Sequence, residues 1–237
     1  MSKNNKFYLN NPKKPSVHSL RDKLHKALAK EEFIVEIPVT EDEIIEIKEE
    51  TVPVKLKNPV KLKKVFIHKL NYSDDKSKVE KIWKIDLQKN LSGISTSGAT
   101  PECAILVLQK YESSYRLKIL LIELKSSIDD EKLEEIRNKF SCAMSRIYML
   151  LVLNNHLNLT KGYSEEEIYI DFKGILFYIK NNLKGEYDRE FHEIFNHDSS
   201  GSLTCETILN KEDKIKVKFF CWQDEKTISL QDLLSKN

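Results

Sequence analysis

Residues 101–127, PECAILVLQKYESSYRLKILLIELKSS, decide the fold. Two apolar runs, CAILVLQ at 103–109 and LKILLIEL at 117–124, flank KYESSY, which has the length of a hairpin connection. Neither run alternates apolar with polar residues, the pattern of strands covered on both faces in the middle of a sheet. Charged residues gather at their ends. Glu102 opens the first strand after Pro101, and Glu123 and Lys125 close the second. Residues two apart on a strand share a face, and in a hairpin the first strand begins beside the end of the second. Two carboxylates and an ammonium are therefore expected to converge at one end of the sheet.

Outward from this hairpin, residues 129–153 read as a long helix. Leu133, Ile136, Phe140, Met144, Ile147, Leu150 and Leu151 recur every three or four positions, and Asp129, Asp130 and Glu131 suit the positive end of its dipole. Residues 167–179 and 215–222 read as strands, with a loop at 198–202 and a short helix after the last strand. Before the hairpin, Val79, Ile82, Trp83 and Leu87 predict a helix from Asp75 to about Leu91, ending in the loop LSGISTSGATP at 91–101. Further back, Phe33–Val39, Ile44–Ile47, Val52–Leu56 and 62–70 read as extended pieces. Residues 17–31 place Leu20, Leu24, Ala27 and Leu28 at helical spacing behind Ser19. The order helix, strand, strand, helix, strand predicts an α/β fold. Residues 1–74 are expected to be an N-terminal extension, a helix plus short strands packed on a core of residues 75–237.

With 237 residues, 40% of them apolar, the chain can bury a core without disulfide or metal staples. No apolar run approaches the roughly 18 residues of a membrane span, and no secretory signal opens the sequence, which predicts a cytoplasmic protein. Cys103, Cys142, Cys205 and Cys221 show no CxxC pairing and predict buried free thiols. A net charge of +2 is too small for a protein that coats DNA by charge alone. The charge is nonetheless segregated into an acidic run, EDEIIEIKEE at 41–50, and a lysine-rich run, KLKNPVKLKKVFIHK at 55–69. Such runs usually face water, and the basic one could also lie along a phosphate backbone.

Two carboxylates beside a lysine suit metal-assisted hydrolysis of a phosphodiester. Carboxylate oxygens hold a hard divalent ion, the ion activates water and takes up phosphate charge, and the lysine positions the nucleophile or neutralises the transition state. Glu-x-Lys alone means little in a chain so rich in both. Its weight comes from Pro-Glu opening one buried strand, Glu-x-Lys closing the next and an amphipathic helix behind. With Pro101-Glu102 in the place of Pro-Asp and Glu123-Leu124-Lys125 in that of (D/E)XK, the chain resembles the PD-(D/E)XK nuclease superfamily over less than half its length.

The resemblance implies a restriction-endonuclease-like αβββαβ core, with a central mixed sheet flanked by helices. It implies Glu102 and Glu123 as ligands of Mg²⁺ or Mn²⁺, the Leu124 carbonyl as a further ligand and Lys125 as the catalytic lysine. Many members carry another acid on the preceding helix, where Glu80 is the match and Asp86 competes with it. Glutamate at 102, one methylene longer than the family's aspartate, is a departure. The implied activity is that of a Mg²⁺-dependent endonuclease cutting DNA in preference to RNA, in restriction, transposition, repair or phage defence. Double-strand cleavage would call for a homodimer. The rival reading is an inactive nucleic-acid-binding or assembly module within a larger protein complex. His192 and His197 are poorly spaced for a shared metal, Asp171 reads as the solvent side of a strand, and Lys139 and Arg146, seven apart on the long helix, could face a phosphate but read first as surface charges.

Overall fold

The two apolar runs occupy the middle of the molecule. The computed structural model describes residues 33–48, 64–89, 99–112, 114–153, 168–183, 200–206, 212–221 and 226–235. Along them run β1 (Ile34–Ile37), β2 (Ile45–Lys48), β3 (Lys64–His68), β4 (Lys78–Asp86), β5 (Cys103–Lys110), β6 (Tyr115–Ile128) and α1 (Asp130–Leu153). There follow β7 (Ile168–Asn181), β8 (Ser200–Glu206), β9 (Glu212–Cys221), β10 (Lys226–Ser229) and α2 (Leu230–Leu234). The predicted helix at 17–31, the extended piece at 52–56, most of the loop at 91–101, and His192 and His197 lie outside the described residues.

The fold is α/β, with a mixed seven-stranded sheet in the order β1-β4-β5-β6-β7-β9-β8 and a three-stranded sheet in the order β10-β3-β2. β5 and β6 pair antiparallel from Cys103 opposite Ile122 to Lys110 opposite Tyr115. β6 pairs β7 in parallel, and α1 is the crossover between them. Both faces of the hairpin are covered. Ala104, Leu106, Leu117, Ile119 and Leu121 pack with the apolar stripe of α1, whose seven predicted members are all buried. Ile105, Val107, Leu120, Ile122 and Leu124 pack with Ile45, Ile47, Val65, Ile67, Leu230 and Leu233 of the small sheet and α2. Each such Leu or Ile taken from water contributes roughly 1.5–3 kcal/mol, so this double burial holds the layers together.

Residues 78–86 form a strand where helical spacing was predicted. A register shift between Val79 and Lys81 marks a bulge in the β4·β5 pairing. The extra residue resets the alternation. Val79 and Ile82, three apart, fall in the same core layer, while Trp83 and Ile85 fall in the opposite one. Strand geometry thereby imitates the three-and-four spacing of an amphipathic helix. The described residues consequently hold fewer helices than predicted. Residues 200–202 also belong to a strand, β8, rather than a loop, and β6 runs on past Lys125 to Ile128. Among the described cysteine side chains only Cys103 is buried, its thiol pushed up to about 12 by desolvation; Cys142 is half-buried and Cys221 exposed. Cys205 lies on β8, where side chains are outside the described set. No helix among the described residues is long and apolar enough to cross a membrane.

Local chemistry sets the helix ends and the strand partners. The Asp129 side chain accepts the N–H of Lys132 at 3.0 Å and its carbonyl that of Leu133, capping α1. The short α2 is capped by Ser229, and its far end receives Lys218 on the Asp232 carbonyl and Lys173 on the Ser235 carbonyl, both at 2.8 Å. The acidic and lysine-rich runs meet where β2 pairs β3, and Glu46 lies 2.9 Å from both Lys48 and Lys64.

Gly174, at the centre of β7, lets α1 approach the sheet. A Cβ there would lie 2.7 Å from Phe140 Cε2 and 2.9 Å from Val217 Cγ2. Gly174→Ala is expected to lower unfolding free energy by about 1–3 kcal/mol through overpacking. Adding Phe140→Leu should recover part of that loss, so the double variant falls short of additivity in urea melts. Additive losses would show that the ring is not the obstacle.

Candidate functional site

Glu102 precedes β5, and the hairpin register that sets Cys103 opposite Ile122 carries it next to Glu123. Alternation along β6 puts Leu121, Glu123 and Lys125 on the α1 side, since Ile122 and Leu124 belong to the opposite core. The structure thus brings Glu102, Glu123 and Lys125 together, and adds Lys139 and Glu135 from α1. Lys139 Nζ donates to Glu123 Oε1 at 2.6 Å and Lys125 Nζ lies 3.1 Å from the same oxygen. Lys125 also donates to Glu135 at 3.0 Å, and Lys139 lies 3.5 Å from it.

Glu123 has no exposure to water, and the side chains of Lys125 and Lys139 keep only 17% and 12%. A buried carboxylate without a partner would cost several kcal/mol; two ammonium groups on one oxygen offset that. Its second oxygen, Oε2, is buried and receives no hydrogen bond from a lysine or a backbone amide among the described residues. Beside it lies the Glu102 carboxyl, whose Oε2 accepts the Leu124 N–H at 2.9 Å. Desolvation, then the charge of Glu123 and a hydrogen bond shared with it, hold Glu102 well above the ordinary carboxylate range; the Leu124 N–H and Lys139 pull the other way only in part. Two carboxyl groups thus lie side by side, and the proton that Glu102 prefers to keep is what the pair shares. Burial pulls the Lys125 ammonium down, yet the Glu123 charge and hydrogen bonds to Glu135 and Glu123 outweigh it, leaving its pKa above the usual lysine value.

The second side of the site is fixed by the far end of β4. Thr100 Oγ1 and Arg146 Nη1 both donate to the Leu87 carbonyl at 2.9 Å, which ties the segment entering β5 to α1 and so places Glu102. Neither Lys139 nor Arg146 is the surface charge the sequence suggested. Both flank the apolar stripe, Lys139 next to Phe140 and Arg146 next to Ile147, and that adjacency was the readable sign. Asp171 is exposed and paired with Lys118.

Glu80 sits on β4 rather than on a helix, paired with Lys78. Its neighbour Val79 is opposite Gln109, at the end of β5 remote from Glu102. Asp86 is opposite Cys103 and so nearer, but its Oδ1 accepts the N–H groups of Gln88 and Lys89. Lys84, Asp86, Glu46 and Lys48 line a cleft of about 140 Å³ that also touches Glu102.

A divalent ion tests this donor set. Among the described residues no group of three or more His, Cys, Asp or Glu is assembled to hold one. The unpartnered Glu123 oxygen and the adjoining Glu102 carboxyl nevertheless form a two-carboxylate cradle, which suits an ion that keeps several waters and takes one or two carboxylates. In an extended strand a residue's N–H and C=O point to the same edge, so the Leu124 carbonyl faces the Glu102 side as its N–H does.

The raised Glu102 value makes stability pH-dependent. A carboxyl that prefers its proton in the fold contributes fully at low pH, and that contribution is lost as pH climbs from the ordinary carboxylate value of 4.5 through the raised folded value. Glu102→Gln, which cannot ionise and can still accept the Leu124 N–H, should raise the melting temperature of metal-free protein at neutral and alkaline pH. The gain should shrink on acidification across that interval. A gain that stays constant with pH would show an ordinary carboxylate. Comparison with known protein families, curated proteins and solved structures gives no match for this chain.

Proposed function

We propose that this chain is a divalent-metal-dependent nuclease of the PD-(D/E)XK type, hydrolysing phosphodiester bonds in DNA in preference to RNA. The observation that carries the reading is the fully buried Glu123, with one oxygen held by two lysines and the other, among the described residues, left without a lysine or amide donor beside the Glu102 carboxyl. Support for a restriction-endonuclease-like core comes from the run β4, β5, β6, α1, β7, with its hairpin, crossover helix and parallel return strand. Mg²⁺ or Mn²⁺ held by Glu102, Glu123 and the Leu124 carbonyl would supply Lewis acidity to the phosphate and lower the pKa of a bound water.

The chain's own groups would do the rest. Lys125, bridged between Glu123 and Glu135, is stabilised as an ammonium. Its role is therefore to neutralise charge that builds up on the phosphate, in a site dry enough for the interaction to matter. Glu123 orients that ammonium, and the Thr100 and Arg146 contacts to Leu87 keep Glu102 in reach. Cutting both strands of a duplex would take two copies of the site, hence a homodimer or two encounters.

One observation favours the second reading, an inert nucleic-acid-binding or assembly module on the same scaffold. Glu102 already spends an oxygen on the Leu124 N–H, completing the strand ladder, and among the described residues no group of three metal-ligating side chains is assembled. Incubation with plasmid and with single-stranded DNA in Mg²⁺ or Mn²⁺ separates the two. Wild type is expected to cut, and the Glu123→Ala, Lys125→Ala double variant to lose at least about a hundredfold in rate. Identical products from both proteins would end the nuclease reading. A working site should also gain roughly 2.7 kcal/mol of stability when the ion is at a hundred times its dissociation constant.

A further inference from the structure

Lys139 makes the shortest contact to the buried carboxylate, 2.6 Å to Glu123 Oε1, and lies 3.5 Å from Glu135. Lys125 bridges the same two acids at 3.1 Å and 3.0 Å. Two lysines and two glutamates therefore close a ring of ion pairs whose charge is zero. Three of its members are largely shielded from water, while Glu135 is 48% exposed and marks the side on which the ring meets solvent. A divalent ion seated between Glu123 and Glu102 would displace the Glu102 proton to solvent and set two positive charges against the one negative charge then left on Glu102. The site is then left with one positive charge in excess, which shielding keeps water from dispersing. That excess equals in size the charge of a single phosphodiester linkage.

The two lysines differ in freedom. Lys125 rises from the middle of β6, where Leu124 and Ser127 are held in register with β7. Lys139 belongs to α1, a turn away from half-exposed Glu135, on a flexible four-carbon stem with a compact ammonium. Lys139 holds its second acid, Glu135, at 3.5 Å against 3.0 Å for Lys125, so once an ion shares Glu123 it is the lysine less firmly anchored within the ring.

Resting on the nuclease reading above, we propose that Lys139 is a switching substrate contact. It neutralises Glu123 while no cation is bound, and passes to a phosphodiester oxygen of the nucleic acid when a divalent cation occupies the two carboxylates. Cation and nucleic acid consequently bind with positive coupling, and the coupling is reciprocal.

The test is a Mn²⁺ titration of the full chain, followed by electron paramagnetic resonance of the unbound ion. It is run with and without a short DNA duplex protected by phosphorothioate linkages, on wild type, Lys139→Gln and Glu135→Gln. In wild type the duplex should tighten Mn²⁺ binding by at least about fivefold. Lys139→Gln should bind Mn²⁺ more tightly than wild type without the duplex, and the duplex should no longer help. Glu135→Gln, at the half-exposed position, leaves one more positive charge in the ring. It should weaken Mn²⁺ alone and enlarge the effect of the duplex. Undiminished coupling in Lys139→Gln overturns the proposal; if that variant gives no cooperative melt, a Glu135→Gln protein indistinguishable from wild type overturns it instead. Mn²⁺ binding by wild type with no response to the duplex removes this inference and leaves the metal site standing. No Mn²⁺ binding by wild type removes both.

Discussion

A hairpin of two strands with apolar residues on both faces needs a layer above it and a layer below. β5 and β6 impose that demand, and the remainder of the structure answers it. α1 covers one side through the stripe from Leu133 to Leu151, and the small sheet with α2 covers the other through Ile45, Ile67, Leu230 and their neighbours. Close packing is the means, as Gly174 beneath the Phe140 ring shows. The same demand creates the site. A strand buried on both sides has no water to offer a carboxylate in its middle, so Glu123 has to be neutralised by side chains brought to it.

Those side chains come from β6 itself and from the helix that covers it. Lys125 two residues along and Lys139 on α1 both reach one oxygen of Glu123, while Glu135 holds the two ammonium groups from outside. Arrangements of this kind rarely raise stability beyond what apolar side chains of equal volume would give. Glu123 is thus a costly residue to keep at this position, offset by two ammonium groups on one oxygen and by the hydrogen bond it shares with the Glu102 carboxyl.

Much of this was legible in the amino-acid order. The hairpin could be read because its runs lack alternation, and α1 because its apolar positions step by three and four over many turns. The meeting of Glu102, Glu123 and Lys125 followed from strand parity and hairpin geometry alone. β4 was misread because a bulge after Val79 shifts its phase, and a single inserted residue leaves no mark in composition. Lys139 was misjudged because periodicity reports which residues are apolar, not which charged residue at the edge of the stripe bends inward. The second sheet was invisible as a sheet. Its strands are four or five residues long, and its parallel pair joins Val65 to Lys226, whose union no local pattern announces.

That last pairing bears on how the chain is made. β3 leaves the ribosome early and β10 late, yet the two lie side by side, from Val65 against Lys226 to His68 against Ser229. Until β10 emerges, β3 has β2 on one edge and an open edge on the other, and the layer over Ile105, Ile122 and Leu124 lacks Ile228, Leu230 and Leu233. Contacts so distant along the chain form slowly, after much loop entropy has been lost. From the emergence of β3 until that of β10 the nascent protein therefore carries an exposed apolar sheet face and an unpaired strand edge, the condition under which chaperone engagement or premature self-association is decided.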